Sequence, residues 1–173
     1  MTRKWIYTAL LLCLPRLIHA QTGGDNVYEF LNLTHSGLVS SLGGANVSLN
    51  TGNLNLSWHN PALLDSGMNN AAALNYVNYF AGVNYGSVLY SRRYEGIGNF
   101  AAGLTYLNYG SFTKADPSGT ITGNFYASEY AFSLIWSRTI DTLFSIGINL
   151  RPVLSHLERY TSAGIALDLG GSY

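Results

Sequence analysis

Few residues of this chain have the types and spacing that catalysis or metal binding requires. Beyond the N-terminal segment the histidines are His35, His59 and His156, which are far apart and form neither an HExxH pattern nor a site with paired cysteines. Ser36 follows His35, but no Gly-x-Ser-x-Gly motif surrounds it, and sequence neighbours seldom form a working nucleophile–base pair. Neither a Walker nor a dinucleotide-binding fingerprint is present. The sequence therefore predicts no catalytic residue, no metal site and no cofactor.

Glu129, Arg151 and Asp168 could be interpreted as a set of acids and bases that act together. They lie in segments where large apolar residues alternate with small or polar ones. Polar residues at such positions are typical of the interior of a transmembrane β-barrel. We therefore interpret these three residues as lumenal lining rather than as an active site.

The composition indicates a membrane protein that spans with strands. The 173 residues are 47% hydrophobic and only 10% charged, with 19 Gly and 13 Tyr. Soluble domains carry roughly 25% charged residues. The net charge of zero offers no basic surface for nucleic acid, and no run of about 20 apolar residues follows the N-terminus.

Residues 1–20 have the features of a signal peptide. Arg3 and Lys4 precede the apolar run Trp5–Leu14, and Ala20 supplies a small residue for cleavage. The only cysteine, Cys13, lies inside that run. Cleavage would remove three of nine basic residues and none of nine acidic ones, leaving six against nine and a net charge of −3. We expect a cysteine-free mature chain.

Residues 21–70 do not alternate, and we interpret them as an inner, plug-like segment. They are rich in Asn, Ser, Gly and Leu. Gly43 and Gly44 would permit a positive φ or a close backbone approach. Asn60 as N-cap and Pro61 at the first helical position would begin a short helix, although a plain turn is an equal alternative at both motifs.

From residue 71 to residue 173 the hydrophobic period is two, which is the period of a β-strand. Tyr130, Phe132, Leu134 and Trp136 alternate with small or polar residues. The fold predicted is all-β, an antiparallel outer-membrane β-barrel, favoured over a soluble β-sandwich by the signal peptide, low charge and many aromatics. The predicted strands are 71–77, 81–91, 97–110, 124–138, 142–156 and 163–173.

The breaks between these strands fit a barrel. The breaks at residues 92–96 and 139–141 are short, whereas Ser111–Gly123 is long, polar and contains the turn sequence Asp116–Gly119. Short turns would face the periplasm and the long loop the exterior. About six strands cannot close a single-chain barrel, which needs at least about eight. We therefore expect the N-terminal part of a longer barrel, with a multi-chain barrel as the alternative.

One strand pairing can be predicted residue by residue. A turn centred on Ile140 would place Trp136 opposite Phe144 and Leu134 opposite Ile146 on the lipid side. The same register would place Glu129 opposite Arg151, as a lumenal ion pair. Pro152, which has no N–H for the ladder, suggests a bulge.

Several segments resemble the PorQ family of the type IX secretion system of Bacteroidota, within the wider group of barrels that includes PorV and the FadL fatty-acid transporters. The most specific stretch is Leu74–Ala81, with the sequence LNYVNYFA. The resemblance covers nearly the whole mature chain, and such proteins are about twice this long. The other similar stretches are Tyr28–Leu33, Ser41–Leu49, Asn60–Leu64, Phe100–Gly103, Tyr106–Gly110, Glu129–Phe132 and Gly164–Gly171.

The resemblance implies a non-enzymatic protein of the outer membrane. It would belong to the complex that attaches secreted proteins to the cell surface, with outer-membrane lipid and proteins such as PorU, PorV and PorZ as partners. A FadL-like transporter of hydrophobic small molecules is the alternative, which would need an apolar lumen. A barrel hydrolase is a third, which would need a converging nucleophile and base. The loop Ser111–Gly123 is the candidate partner-facing element.

Overall fold

A computed structural model describes residues 27–34, 36–141 and 143–173, apart from the side chain of residue 141. The predicted signal peptide, the first residues of the predicted plug and His35 lie outside the described residues. No helix in the described part of the chain is long and apolar enough to cross a membrane.

The described residues form one antiparallel sheet of six strands in sequential order. The sheet is not closed, and β1 and β6 are its edges. This architecture confirms the prediction of an all-β chain with about six strands that forms part of a barrel. The strands are β1 (Ala72–Asn78), β2 (Asn84–Tyr94), β3 (Gly98–Ala115), β4 (Ile121–Asp141), β5 (Phe144–Leu157) and β6 (Tyr160–Ser172).

Before the sheet, residues 27–34 and 36–70 form short helical turns rather than strands. Within these residues one α-helix is present, α1 (Gly37–Ser41), which has five residues. The remaining elements before β1 are the 3₁₀ turns Glu29–Asn32, Leu54–Trp58, Pro61–Leu63 and Ser66–Met68. A further 3₁₀ turn, Phe80–Gly82, joins β1 to β2. We term the described residues 27–70 the plug, because they pack on one face of the sheet.

Large apolar side chains lie on the other face of the sheet, the outward face, where no part of the described chain covers them. Leu74, Ile165 and Leu169 are 82%, 76% and 73% exposed. The pairing aligns these side chains in rows across the strands. One such row consists of Ala72, Tyr90, Ala102, Leu134, Leu150 and Leu167.

The outward rows change from apolar to polar at one end of the sheet. We term the end with the β2–β3 and β4–β5 turns the lower end, and the opposite end the upper end. Four successive rows, from the row of Phe100 and Trp136 to the row of Tyr106 and Tyr130, are apolar or aromatic apart from Arg92. Rows repeat every two residues, so four rows cover about 26 Å along the strands. The next row upward is polar throughout: Asn78, Asn84, Asn108, Ser128, His156 and Thr161.

Two buried apolar clusters join the inward face to the plug, and a third lies inside the plug. The first cluster joins plug residues such as Trp58 and Leu64 to Leu89 and Ile135 of the sheet. The second cluster packs Phe30 against β2–β5, and the third lies within the plug around Leu56. Burying an aliphatic or aromatic side chain stabilises a fold by about 1.5–3 kcal/mol. The plug is therefore part of the folded core of the described chain.

The predicted β4–β5 register is wrong, although the faces are right. Trp136 pairs with Ile148 and Leu134 with Leu150. The partner of Trp136 thus moves from residue 144 to residue 148, a slip of four. A slip by an even number keeps every side chain on its face, so alternation cannot detect it.

Two smaller predictions about the strands are also corrected. Residues 111–123 do not form a long loop, because β3 and β4 continue as a paired hairpin that closes at residues 116–120. The Asp116 carboxylate accepts from the Ser118 and Thr120 N–H groups, each at 2.9 Å, as expected for the turn predicted there. Pro152 produces no bulge. The β4–β5 ladder has no pair at Pro152 itself, but the pairs on either side of it, Ala131–Val153 and Leu134–Leu150, keep the same register.

Candidate functional site

The Asn60–Pro61 motif forms the tightest contact between plug and sheet. Asn60 caps the 3₁₀ turn that begins at Pro61, accepting from the Ala62 N–H at 3.0 Å. The predicted helix start is therefore confirmed, as a single 3₁₀ turn. The Asn60 amide also donates to the carbonyls of Val47, at 2.8 Å, and of Gly171 in β6, at 3.1 Å. One side chain thus joins two parts of the plug to the sheet.

Two glycines on the inward face leave the space that this motif occupies. A Cβ built on Gly147 of β5 would lie 2.6 Å from the Pro61 carbonyl oxygen, with other Pro61 and Ala62 backbone atoms nearer still. A Cβ on Gly170 of β6 would lie 2.8 Å from Pro61 Cδ and nearer still to Asn60 Oδ1. Only glycine permits this approach. The alternation pattern contained the signal, since both glycines are at inward positions, but the sequence did not indicate what fills the space.

Buried polar groups attach the rest of the plug to the sheet. The Leu64 carbonyl accepts from Asn99 Nδ2 at 3.1 Å and from the Ser137 hydroxyl. Near β1, Asn75 Nδ2 donates to Asn55 Oδ1 at 2.7 Å. A buried hydrogen bond contributes about 0.5–1.5 kcal/mol. These bonds fix the plug to the central strands β3 and β4 and to the edge strand β1.

The Gly43–Gly44 motif is a turn and not a wall contact. Both residues have a positive φ, 97° and 94°, which is one of the two properties predicted for them, the other being a close backbone approach. A Cβ on Gly43 would meet nothing within 4 Å, and one on Gly44 would meet only Thr34 Oγ1 at 3.6 Å. The motif therefore ends α1 and does not approach the sheet.

The predicted Glu129–Arg151 ion pair does not form. Glu129 lies opposite Ser155, and its carboxylate accepts from the Tyr109 hydroxyl at 2.7 Å. Arg151 instead pairs with Asp168 across β5 and β6, with 2.7 Å between Nη2 and a carboxylate oxygen. The four-residue slip in register is the physical reason for the exchange of partners.

The Arg151–Asp168 pair lies at the plug interface, where it is mostly shielded from solvent. The Arg151 side chain is 14% exposed and that of Asp168 is 30% exposed. Asn149 Nδ2 also donates to Asp168, at 3.1 Å. Burial and the positive charge of Arg151 lower the pKa of His59 in the plug. The neutral form of His59 is therefore favoured beside this ion pair.

The described histidines and acids do not assemble a reaction centre. His156 lies on the outward face of β5, where its Nδ1 is 3.0 Å from Thr161 Oγ1, far along the chain from His59 in the plug. Within the described ranges no group of three or more His, Cys, Asp or Glu residues could hold a metal ion. Polar side chains of the inward face such as Asn99 and Ser137 instead form hydrogen bonds with the plug.

An apolar cavity of about 320 Å³ lies near the upper end, between the plug and the β1–β2 connection. Phe30 and Leu33 of the plug line it on one side, and Tyr85 and Leu107 of the sheet line it on the other. Glu29 is the acidic residue at this cavity. The cavity could hold a small apolar group.

The β3–β4 hairpin projects beyond its neighbours at the upper end. β2 pairs with β3 only to Asn108, and β5 pairs with β4 only to Ala127, so residues 109–126 form a two-stranded ribbon. Lys114 forms an ion pair with Glu158 of the β5–β6 turn, and this contact lowers the pKa of Glu158. Ile121, near the tip, is 70% exposed.

No protein-family model matches the chain, and no curated protein matches it significantly.

Proposed function

We propose that the chain forms the plug and part of the wall of an outer-membrane β-barrel that acts without catalysis in type IX protein secretion. In this proposal the barrel resides in the outer membrane after signal-peptide cleavage and scaffolds the complex that attaches secreted proteins to the cell surface. The partners are outer-membrane lipid and proteins of the PorU, PorV and PorZ kind.

The observation that carries the membrane part of this proposal is the outward face. Four apolar rows cover about 26 Å along the strands, which is about 20 Å of height at a strand tilt of about 40° and so most of the apolar band of about 25 Å on outer-membrane barrels. Large side chains such as Leu74 at 82% exposure have a favourable environment only against lipid or protein. The polar row that follows at the upper end matches the boundary of such a band.

The packed plug favours a scaffold function rather than an open-channel function. Asn60 and Pro61 occupy the space left by Gly147 and Gly170, and buried hydrogen bonds fix the plug to β1, β3, β4 and β6. A protein that holds partners at its rim needs no free lumen. The secretion-system assignment itself rests on the sequence resemblance to the PorQ family.

The ribbon of residues 109–126 is the partner-facing element in this proposal. Its length beyond β2 and β5 would place it outside the bilayer at the upper end, which the proposal assigns to the cell exterior. Unpaired ribbon edges and exposed apolar residues such as Ile121 suit contact with a second protein.

An affinity pull-down from detergent-solubilised outer membranes, analysed by mass spectrometry, tests the proposal. We expect a secretion-associated peptidase and sibling barrels to be recovered with the full chain. Ile121→Asp should lose these proteins, whereas Leu143→Asp, with 66% exposure at the lower end, should retain them. Recovery of the bait alone would contradict the proposal.

The cavity beside Phe30 favours a second candidate, FadL-like transport of hydrophobic small molecules. The cavity has a volume of about 320 Å³ and an apolar lining, which suit part of an acyl chain. Lipid extraction of the same eluate separates the candidates. Fatty acid bound to a bait without partner proteins would favour transport.

A further inference from the structure

A trough crosses the outward face near the lower end of the sheet. Ala102 of β3 is a small residue between two large ones in its row, Tyr90 of β2 and Leu134 of β4. The row below holds Phe100 and Trp136. The large side chains around Ala102 enclose a cavity of about 510 Å³ that is open to the outward side.

Arginine side chains gather at the lower end of this trough. Arg92 lines the trough, with Cζ 5.5 Å from the centre of the Tyr94 ring. Tyr94 also lines a second cavity of about 380 Å³, together with Arg93 and Arg138. None of the three guanidinium groups forms an ion pair with a described side chain. The polar residues of the second cavity include Ser66, Asn99 and Thr139.

We propose that this region binds one glycerophospholipid, with an acyl chain over Ala102 and the phosphate at Arg92 and Arg138. The inference rests on the proposed function, because only a sheet in the membrane presents its outward face to lipid.

The two cavities together select this class of ligand. The trough offers apolar and aromatic surface without an acidic side chain, which suits a hydrocarbon chain. Arg138 lines the adjoining cavity, and the Arg92 guanidinium lies over Tyr94, the residue that both cavities share. Guanidinium groups bind phosphate oxygens through paired hydrogen bonds. A free phosphate would leave the trough unused, and a neutral lipid would leave the arginines without an anion. An amphiphile that carries a phosphate uses both.

The test measures lipid retained by the full chain after purification in detergent, by native mass spectrometry with added phosphatidylglycerol. Ala102→Phe fills the trough, and the double variant R92Q/R138Q removes the phosphate contacts. Ala163→Phe is the matched control for size, since Ala163 is exposed on the outward face of β6 near the upper end. Arg159→Gln, in the β5–β6 turn, is the control for loss of an arginine away from the site.

We expect Ala102→Phe and R92Q/R138Q each to weaken phosphatidylglycerol binding about tenfold or more, as expected for loss of a charge-assisted contact or of the chain site. Both controls should bind as the unsubstituted chain does. Diacylglycerol with the same chains should bind weakly to every form. Equal retention by all variants would overturn the proposal.

Two further readouts separate the alternatives. If inorganic phosphate displaces the lipid and binds alone with the same dependence on Arg92 and Arg138, the site binds phosphate and not phospholipid, and the proposal is wrong. Extraction of membranes with alkaline carbonate tests the membrane location separately. A chain released by carbonate refutes the proposed function, whereas a retained chain with no arginine dependence refutes the lipid site alone.

Discussion

Replacing Gly170 by alanine is expected to loosen the plug from the sheet. The new Cβ would lie 2.8 Å from Pro61 Cδ and 3.0 Å from Pro61 Cγ, in a contact that also involves Asn60 Oδ1. The proline ring is rigid, and Asn60 is held by its bonds to the Val47 and Gly171 carbonyls. Neither neighbour can move without loss of these bonds.

The magnitude follows from two contributions. Overpacking a well-packed site costs about 1–3 kcal/mol, and the loss of a buried hydrogen bond adds about 1 kcal/mol. We therefore expect plug docking to weaken by about 2–4 kcal/mol, or about 30- to 1,000-fold in the docking equilibrium.

Gly171→Ala is the matched control. It is the next residue of β6, it points to the opposite face, and its Cβ would meet nothing within 4 Å. Hydrogen exchange of residues 54–64 measures docking, with β3 and β4 amides as the internal reference. Faster exchange confined to residues 54–64 in Gly170→Ala is the expected result. Equal exchange in Gly170→Ala and Gly171→Ala would refute the packing argument.

Three further predictions concern the same interface. Asn60→Ala should lower the free energy of unfolding by about 1–3 kcal/mol, measured by urea unfolding. The loss should exceed that of Asn53→Ala, which removes only the cap to the Asn55 N–H. Equal losses in the two variants would contradict the bridging role of Asn60. Asp168→Asn should cost about 1–3 kcal/mol in the same assay, because it leaves the largely shielded Arg151 guanidinium without its counter-charge. An unchanged free energy of unfolding would refute this. The pKa of His59 is lowered in the folded state, so the state with the plug undocked binds more protons and docking should weaken as the pH falls below 6.5. Hydrogen exchange of the plug measured against pH should show this weakening, and His59→Gln should abolish the pH dependence.

The sequence was sufficient to predict the strands because their chemistry is local. A period of two from residue 71 onward indicated about six strands and the face of each side chain. Exposures such as 54% for Leu134 agree with the predicted outward positions. The Asn60–Pro61 start was predictable for the same reason, since a cap and its turn are neighbours in sequence.

The register and the site were not predictable because they depend on distant contacts. The β4–β5 turn carries no Asn-Gly or Asp-Gly pair to set its centre. The observed register places Gly147 under Pro61, a contact between residues far apart in the chain. The pairing of Arg151 with Asp168 depends in turn on the β5–β6 register.

The β3–β4 ribbon was predicted as a loop for a related reason. Residues 111–123 are mostly polar and show no apolar alternation. A ribbon with no apolar face to bury leaves no such pattern. Only its turn at Asp116–Gly119 could be recognised from the sequence.

Site-directed spin labelling of the chain in lipid vesicles tests the central claim most directly. Residues 21–173 contain no cysteine, so single cysteines can be placed at Leu134 in an apolar row, at Ser128 in the polar row and at Ser133 on the inward face. A membrane wall predicts that oxygen relaxes the label at 134 more than a water-soluble nickel chelate does. The chelate should dominate at 128, and neither reagent should reach 133. Preferential relaxation by the chelate at 134 would contradict the membrane-wall account.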